Sequence, residues 1–419
     1  MSFAPSAPAA RPTPVAAPSI LLFATTWWPL STRMALRLIH LGASVSALVP
    51  HRHMMQAVPG LASLHTLRPF AILPSIRHAV RASAPDLIVP TDDTAVLLLH
   101  DLVQQYPEFS PLIEHSLGSS RHISLLRSRR QFLTLADSLG IPCPQTSKVE
   151  SSARIDAIIL ANKFPTVLKF DGTSGGYGVV LARDPDQLQR GYQMLQHHRL
   201  PLRSLKRFLI DNEVAALHRL KASSPDEITC QSFIPGIAAN GLFVVQRGQM
   251  LAHIQVRVVR ALSETGAAVI VDRIHHPAIL DAAQKIASKL ELSGFFGLDF
   301  ILHADTDEPY LLEINPRATQ LCHIPLDPEQ NSFSTLADAI YFLASGNIPK
   351  HMTQLPIHDR FAFFPQVFTL PSDDPALATA AIDRPDNPAL VAEMERPVWP
   401  QRRLWLRLYN RIVNGTDLH

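Results

Sequence analysis

Cysteine is scarce here: Cys143, Cys230 and Cys322 are odd in number, lie far apart and include no C-x-x-C pair. Nothing in that pattern suggests a zinc or redox site, and a reducing, cytoplasmic setting is the expectation. Long apolar runs are missing too. No segment reaches the roughly 18 residues of a membrane span, and the N-terminus lacks the charged region and apolar core of a secretory signal. Charge of one sign is also absent: 38 basic against 36 acidic residues leave a net +2. Without a long block of Lys and Arg, no nucleic-acid partner is expected. The 19 histidines form no H-E-x-x-H or other regular ligand spacing, so they are assigned no metal. Nothing in the sequence signals an oligomeric state.

What is present is an ordinary globular composition, 47% hydrophobic and 18% charged over 419 residues. That length exceeds what one core usually serves, so two or three domains sharing a cleft are expected. Residues 1–18 are mostly Ala, Pro and Ser and are read as a disordered tail. Residues 19–119 alternate apolar runs with helical periodicity: Ile20 to Ala24, a helix from Arg33 to Leu41 ended by Gly42, Val45 to Val49, and Asp86 to Pro90 before another helix. This is the pattern of a parallel sheet, an α/β fold whose ligands bind at the carboxyl ends of its strands. Asp92 and Asp93 stand at such an end, a plausible substrate edge, although helix N-capping is the favoured account of either. The first strand carries no G-x-G-x-x-G, so no dinucleotide site is expected there.

A boundary near residue 120 opens a second α/β region that runs to 330, with a small lobe over 120–230 and a catalytic lobe over 231–330. Ser128 to Leu139 reads as a basic amphipathic helix stopped at Gly140. Pro235-Gly236 and Arg247-Gly248 signal turns. Residues 331–419 form a C-terminal extension, richer in Pro. Its last stretch places Arg403, Arg407 and Arg411 on one helical face beside Leu404, Leu408 and Ile412. Docking on its own domain is the favoured reading of that helix, and contact with a membrane surface stays open.

Two stretches carry chemistry. Phe164 to Phe170 reads as a strand ending in a buried Lys169, and Asp171 then leads into Gly172-Thr173-Ser174-Gly175-Gly176-Tyr177-Gly178. Glycines let backbone N–H groups approach phosphate oxygens, and Lys169 adds a positive charge beneath them. The spacing does not match G-x-x-x-x-G-K-[ST], so a flexible hairpin without a ligand stays open on these residues alone. The second stretch, Gly297 to Leu302 and Tyr310 to Arg317 about a polar turn, reads as a hairpin. Asp299 and Glu313 can face each other across it. Period-2 geometry puts Asn315 on the face of Glu313, giving a hard-oxygen cluster suited to Mg²⁺.

These phrases, K-F-D-G-T-S-G-G-Y-G-V from Lys169, G-L-D-F at 297–300 and L-E-I-N-P-R at 312–317, resemble the ATP-grasp enzymes in order and spacing. The resemblance covers roughly residues 120–325. It implies an ATP-grasp fold behind the N-terminal parallel-sheet domain, with ATP between two lobes. It further implies that Asp299, Glu313 and Asn315 hold one or two Mg²⁺ (or Mn²⁺) ions. Lys169 and the flap, Gly172, Ser174, Gly175, Gly176 and Gly178, would contact phosphates, with Arg317 near the transferred phosphate. Arg129 stands where the family usually has lysine. Gln231, Ser232, Phe233 and Ile234 resemble the hinge that meets adenine, with Ser232 in place of a common acidic residue. Arg257 matches an arginine that often faces the substrate. The implied activity is a ligase that phosphorylates a carboxylate and passes the acyl group to an amine or another nucleophile, releasing ADP and phosphate. A kinase-like phosphotransferase and a nucleotide-binding regulator without turnover are the alternatives.

Overall fold

The computed structural model describes residues 17–161, 163–171, 178–198 and 227–404. Most of the expected N-terminal tail, the flap residues Gly172 to Tyr177 and nearly all of the basic C-terminal helix lie outside the described residues. Among the described residues, no helix is long and apolar enough to cross a membrane.

Three sheets organise the chain. The first is parallel, in the order Ser63–Thr66, Ser44–Val49, Ser19–Phe23, Leu87–Pro90. Three of its strands, SILLF, SVSALV and the edge strand LIVP, are nearly continuous apolar runs because both faces are covered. One face packs under Leu30–His40, through Leu30, Met34, Ala35 and Leu38, and the other under Ile72–Ser83 and Asp93–Gln105. The edge strand Ser63–Thr66 is short and alternates half-buried with exposed positions. Its sequence, SLHT, offered no apolar signal to find it by.

A second, antiparallel sheet is built from Thr146–Lys148, Ile228–Ser232, Thr166–Phe170 and Val179–Ala182. The third has seven strands, ordered Pro309–Asn315, Gly294–His303, Gly236–Gln246, Gln249–Ala261, Ala268–Arg273, Arg360–Ala362 and Ala381–Ile382. Two glycines set its geometry. Gly248 follows Arg247 in a two-residue hairpin, with φ of +80° and +48° respectively, the left-handed pair that matches strand twist. At Gly236 a Cβ would fall 1.9 Å from the Leu302 carbonyl oxygen, so only glycine admits that strand approach.

The segment after residue 330 is woven into this framework. Arg360–Ala362 and Ala381–Ile382 extend the large sheet. The helix Leu336–Ser345 opens with a Thr335/Asp338 capping box, and fully buried Asp338 also accepts from Arg37 Nε at 2.7 Å and Nη2 at 2.9 Å. Arg33, on the same N-terminal helix as Arg37, donates to the Phe364 carbonyl and to Asp383, and His323 Nε2 lies 2.9 Å from the other Asp383 oxygen. These buried polar contacts join the first sheet's helix to the far end of the chain.

His53 makes this joint region sensitive to acid. Its Nδ1 accepts from the Met55 N–H at 3.0 Å, which requires a neutral ring, and burial lowers its pKa to about 4. The unfolded chain takes up this proton near the ordinary histidine value, whereas the folded chain resists until about pH 4. In that window the unfolded state binds more protons, so stability falls as pH falls. We expect a loss of roughly 3 kcal/mol between pH 7 and pH 4 from this residue. Urea unfolding across that range should show it, and His53→Asn should flatten that part of the profile.

Candidate active site

The acidic side of the site is set by strand register. Asp299 pairs with Glu313 across the hairpin, and cross-strand partners point to one face. Immediately afterwards the register slips so that Phe300 pairs with Leu311, leaving Leu312 as the extra residue of a bulge. The slip lets Phe300 and Leu311 both enter the core while Asp299 and Glu313 both stay on the face that meets Arg129. Asp299 is held from two strands: Asn240 Nδ2 donates to Oδ1 at 2.6 Å, and Asn315 Nδ2 donates to Oδ2 at 3.1 Å. Asn240, paired in register with Asp299, was not foreseen. An asparagine inside an apolar strand was the available signal.

The basic side comes from two other elements. Ser128 caps the helix Arg129–Ser138, so Arg129 emerges at the first turn with its guanidinium free to reach across. It spans two carboxylates, with Nη2 at 2.6 Å and Nε at 3.2 Å from Glu313 Oε2, and Nη1 at 3.0 Å from Asp171 Oδ1. Asp171, just beyond the strand that carries Lys169, was a second partner the sequence reading passed over. Lys169 is buried on that strand, as expected. Burial and then the neighbouring Arg129 lower its ammonium to about 8, while Glu313, Asp299 and Asp171 oppose the fall.

The facing carboxylates divide their roles. Burial, and next the charge of Glu313, push the Asp299 carboxyl well above its usual range. Glu313 would rise with burial as well, but Arg129 and Lys169 hold it low. One proton is therefore retained most readily at Asp299.

Arg317 closes the cluster from the side of the parallel sheet. Its Nε and Nη2 form a two-pronged pair with Asp93 Oδ1 and Oδ2 at 2.8 and 3.1 Å, and Nη2 also donates to Asn315 Oδ1 at 3.1 Å. The two neighbouring aspartates thus part company. Asp92 caps its helix by accepting from Ala95 N–H at 2.9 Å and also takes the Thr25 N–H and hydroxyl, whereas Asp93 reaches the site.

Other expected residues lie apart from this cluster. Arg257 is half exposed and pairs with Asp272, which is held bidentately by Arg360. Gln231 is buried and donates to the Thr146 hydroxyl at 3.1 Å, and the Ser232 hydroxyl accepts from Gln145 N–H at 3.0 Å. Phe233 and Ile234 follow as the strand ends, with Phe233 exposed. Gly178, at φ +81°, returns the chain to the strand beside Lys169. Gly172, Ser174, Gly175 and Gly176 lie outside the described residues. Burial pushes the thiols of Cys143 and Cys322 up to about 12, so neither serves as a thiolate nucleophile.

Among the described residues no group of three or more His, Cys, Asp or Glu is arranged to hold a metal. The donor set in this cluster is accordingly two carboxylates and one amide. Arg129→Met should leave Glu313 and Asp171 without their shared cation and lower the unfolding free energy by on the order of 3 kcal/mol. Urea unfolding at neutral pH measures this, and adding Glu313→Gln should recover part of the loss. Wild-type stability in the single variant would show that Arg129 is not the counter-ion.

Comparison with known proteins places these features together. Residues 129–320 match the ATP-grasp domain family. The whole fold is similar to an N5-carboxyaminoimidazole synthetase from Staphylococcus aureus complexed with ADP, at 16% identity and TM-score 0.56, covering 81% of this chain and 78% of the other. It is also similar to the biotin carboxylase domain of the 2-oxoglutarate carboxylase of Hydrogenobacter thermophilus, at 12% identity and TM-score 0.57, covering 82% and 74%. An L-amino acid ligase from Bacillus licheniformis aligns at 12% identity and TM-score 0.54, covering 78% and 75%. At such identities the likeness concerns the fold. Residues 129–320, which hold the hairpin, its counter-ions and the lysine strand, are an ATP-grasp domain.

Proposed function

We propose that this chain is a Mg-ATP-dependent ligase that activates a carboxylate as an acyl phosphate and joins it to an amine or another nucleophile, releasing ADP and phosphate. One observation carries the reading: Asp299, Glu313 and Asn315 on one hairpin are met by Arg129 and Lys169 from two separate elements and by Arg317 just beyond the hairpin strand. Six polar groups converging from a hairpin, a helix and a second sheet, with perturbed carboxyl and ammonium groups among them, favour a functional site over a purely structural ion-pair network. The solved relatives include proteins whose names state ADP complexes, carboxylation and amino acid ligation, which favours the same class.

The residues fit a divalent cation. Asp299 and Glu313 offer hard carboxylate oxygens from paired positions, with the Asn315 amide beside them, and hard-oxygen sets suit Mg²⁺. Burial and then the facing Glu313 raise the Asp299 carboxyl, and a cation between the two would offset both effects. Mg²⁺ held by Asp299, Glu313 and Asn315 would neutralise phosphate oxygens and polarise the transferred phosphoryl group. Arg129 and Lys169 would bind nucleotide phosphates, Lys169 as a compact charge below the flap. Gln231, Ser232, Phe233 and Ile234 at the end of their strand would meet the base.

Arg317 would take up charge developing at the γ-phosphate and the attacking carboxylate. Asp93 fixes its guanidinium plane in advance, so little reorganisation is required when that charge appears. Arg257 pairs with Asp272 outside the cluster and would face the acceptor side of the cleft. Attack by a carboxylate oxygen on the γ-phosphorus forms the mixed anhydride and breaks the bond to ADP. Attack of the nucleophile on the acyl carbon then expels phosphate.

Glu313→Ala and Asp299→Ala should each lower Mg-ATP turnover by about a hundredfold to a thousandfold while leaving the circular dichroism spectrum unchanged. A panel of carboxylic and amino acids, assayed by ADP release, supplies the substrate for this test. With the right acid and no acceptor, hydroxylamine should trap a hydroxamate as ADP accumulates. Arg317→Ala should slow that step far more than it weakens ATP binding. AMP as the stoichiometric product, or wild-type turnover in the Glu313 variant, would overturn the mechanism.

A further inference from the structure

A polar cavity of about 140 Å³ is lined by residues 253–255, by Arg273, Ile274 and His275, and by residues of the 327–331 loop. It shares no residue with the cluster around Asp299. It sits where the strand Gln249–Ala261 runs past the end of its neighbour Ala268–Arg273, whose last paired residue is Arg273. The loop covers the strand edge left open there, since Asn331 Oδ1 accepts the His253 N–H at 2.9 Å.

Two side chains on the wall have fixed orientations and spare donors. Gln255 is 2% exposed, and its Oε1 accepts the His276 N–H at 2.9 Å. That bond settles which end of the amide is which, because only the oxygen can accept. Its Nε2, carrying two N–H groups, has no acceptor among the described residues. Arg273 is anchored by Nη2 to the Pro325 carbonyl at 2.6 Å and lies over the Phe361 ring. Its Nε is likewise buried and without an acceptor among the described residues.

Asp327 on the wall, with Asp359, lends Arg273 favourable charge but gives neither donor a hydrogen-bond acceptor. Asp327 turns its oxygens into its own loop, Oδ1 accepting from Glu329 N–H at 3.0 Å and Oδ2 from Gln330 Nε2 at 3.2 Å. A buried amide N–H and a buried guanidinium N–H without partners are costly, and a small oxyanion can accept from both. We propose that this cavity is a binding site for a small oxyanion, a carboxylate or an inorganic phosphate, held by Gln255 Nε2 and Arg273 Nε. The site is separate from the ATP-grasp cluster and stands whether or not that cluster is a ligase centre.

The test uses the full-length protein in calorimetric titrations at constant ionic strength. Sodium acetate and sodium phosphate represent the two sources, sodium chloride is the control for a generic anion, and acetamide is the neutral counterpart of acetate. Saturable one-to-one binding of acetate or phosphate, tighter than chloride and acetamide, is expected, and the tighter of the two identifies the source. Gln255→Glu keeps the oxygen that His276 needs and replaces both donors with a negative charge. It should weaken binding by about tenfold or more, and Arg273→Met should do likewise. Should the glutamate variant fail to fold, Arg273→Met decides. The proposal is overturned if neither oxyanion binds saturably, if chloride or acetamide binds equally well, or if folded variants bind as the wild type does. Any of these would leave the donors to ordered water alone.

Discussion

The pairing of Asp299 with Glu313 across one hairpin is the constraint that organises the centre of this molecule. Two carboxylates facing each other at partial burial repel and lose hydration, so each needs positive partners from elsewhere. The chain supplies them from distant elements. Arg129 comes from a capped helix, Lys169 from the small antiparallel sheet, and two asparagines brace Asp299 from neighbouring strands. The cluster is thus a joint between the two antiparallel sheets as well as a candidate catalytic centre.

A similar logic links the parallel sheet to the rest. Arg317 leaves the hairpin and is gripped by Asp93 at the carboxyl end of a parallel strand, where such sheets place their ligands. Arg33 and Arg37, one helical turn apart on the N-terminal helix, pair with Asp383 and Asp338 near the other end of the chain. Charge pairs over such sequence separations give specificity of docking more than net stability, because desolvation offsets much of their attraction. The apolar core spanning the first sheet, the large sheet and the helix Leu336–Ser345 supplies the bulk of the cohesion.

Much of this was legible in the sequence, and what escaped has physical reasons. The hairpin was readable because a polar turn separates two apolar strands, and the period-2 rule put Glu313 and Asn315 on one face. The bulge at Leu312 was not readable, since nothing in the residue types marks a one-residue slip. Asp93 looked like a helix cap, and its neighbour Asp92 does cap; only the three-dimensional approach of Arg317 separates the two. Asp171 and Asn240 escaped because their partners are far away in sequence. Arg257, read from resemblance as facing the substrate, pairs with Asp272 on the neighbouring strand, which Arg360 also holds, a contact that no local pattern encodes. The short edge strands Ser63–Thr66 and Ala381–Ile382 carry too few apolar residues to announce themselves.

The central claim is that the hairpin acids form a cation site serving a nucleotide. Its most direct test is the crystal structure of the protein with Mn²⁺ and a non-hydrolysable ATP analogue, with the metal located by anomalous scattering. The account predicts a peak about 2.0–2.2 Å from oxygens of Asp299 and Glu313, with nucleotide phosphates on its other side and Arg129 turned toward them. Nucleotide bound with the metal elsewhere, and Arg129 still closed on Glu313, would contradict it.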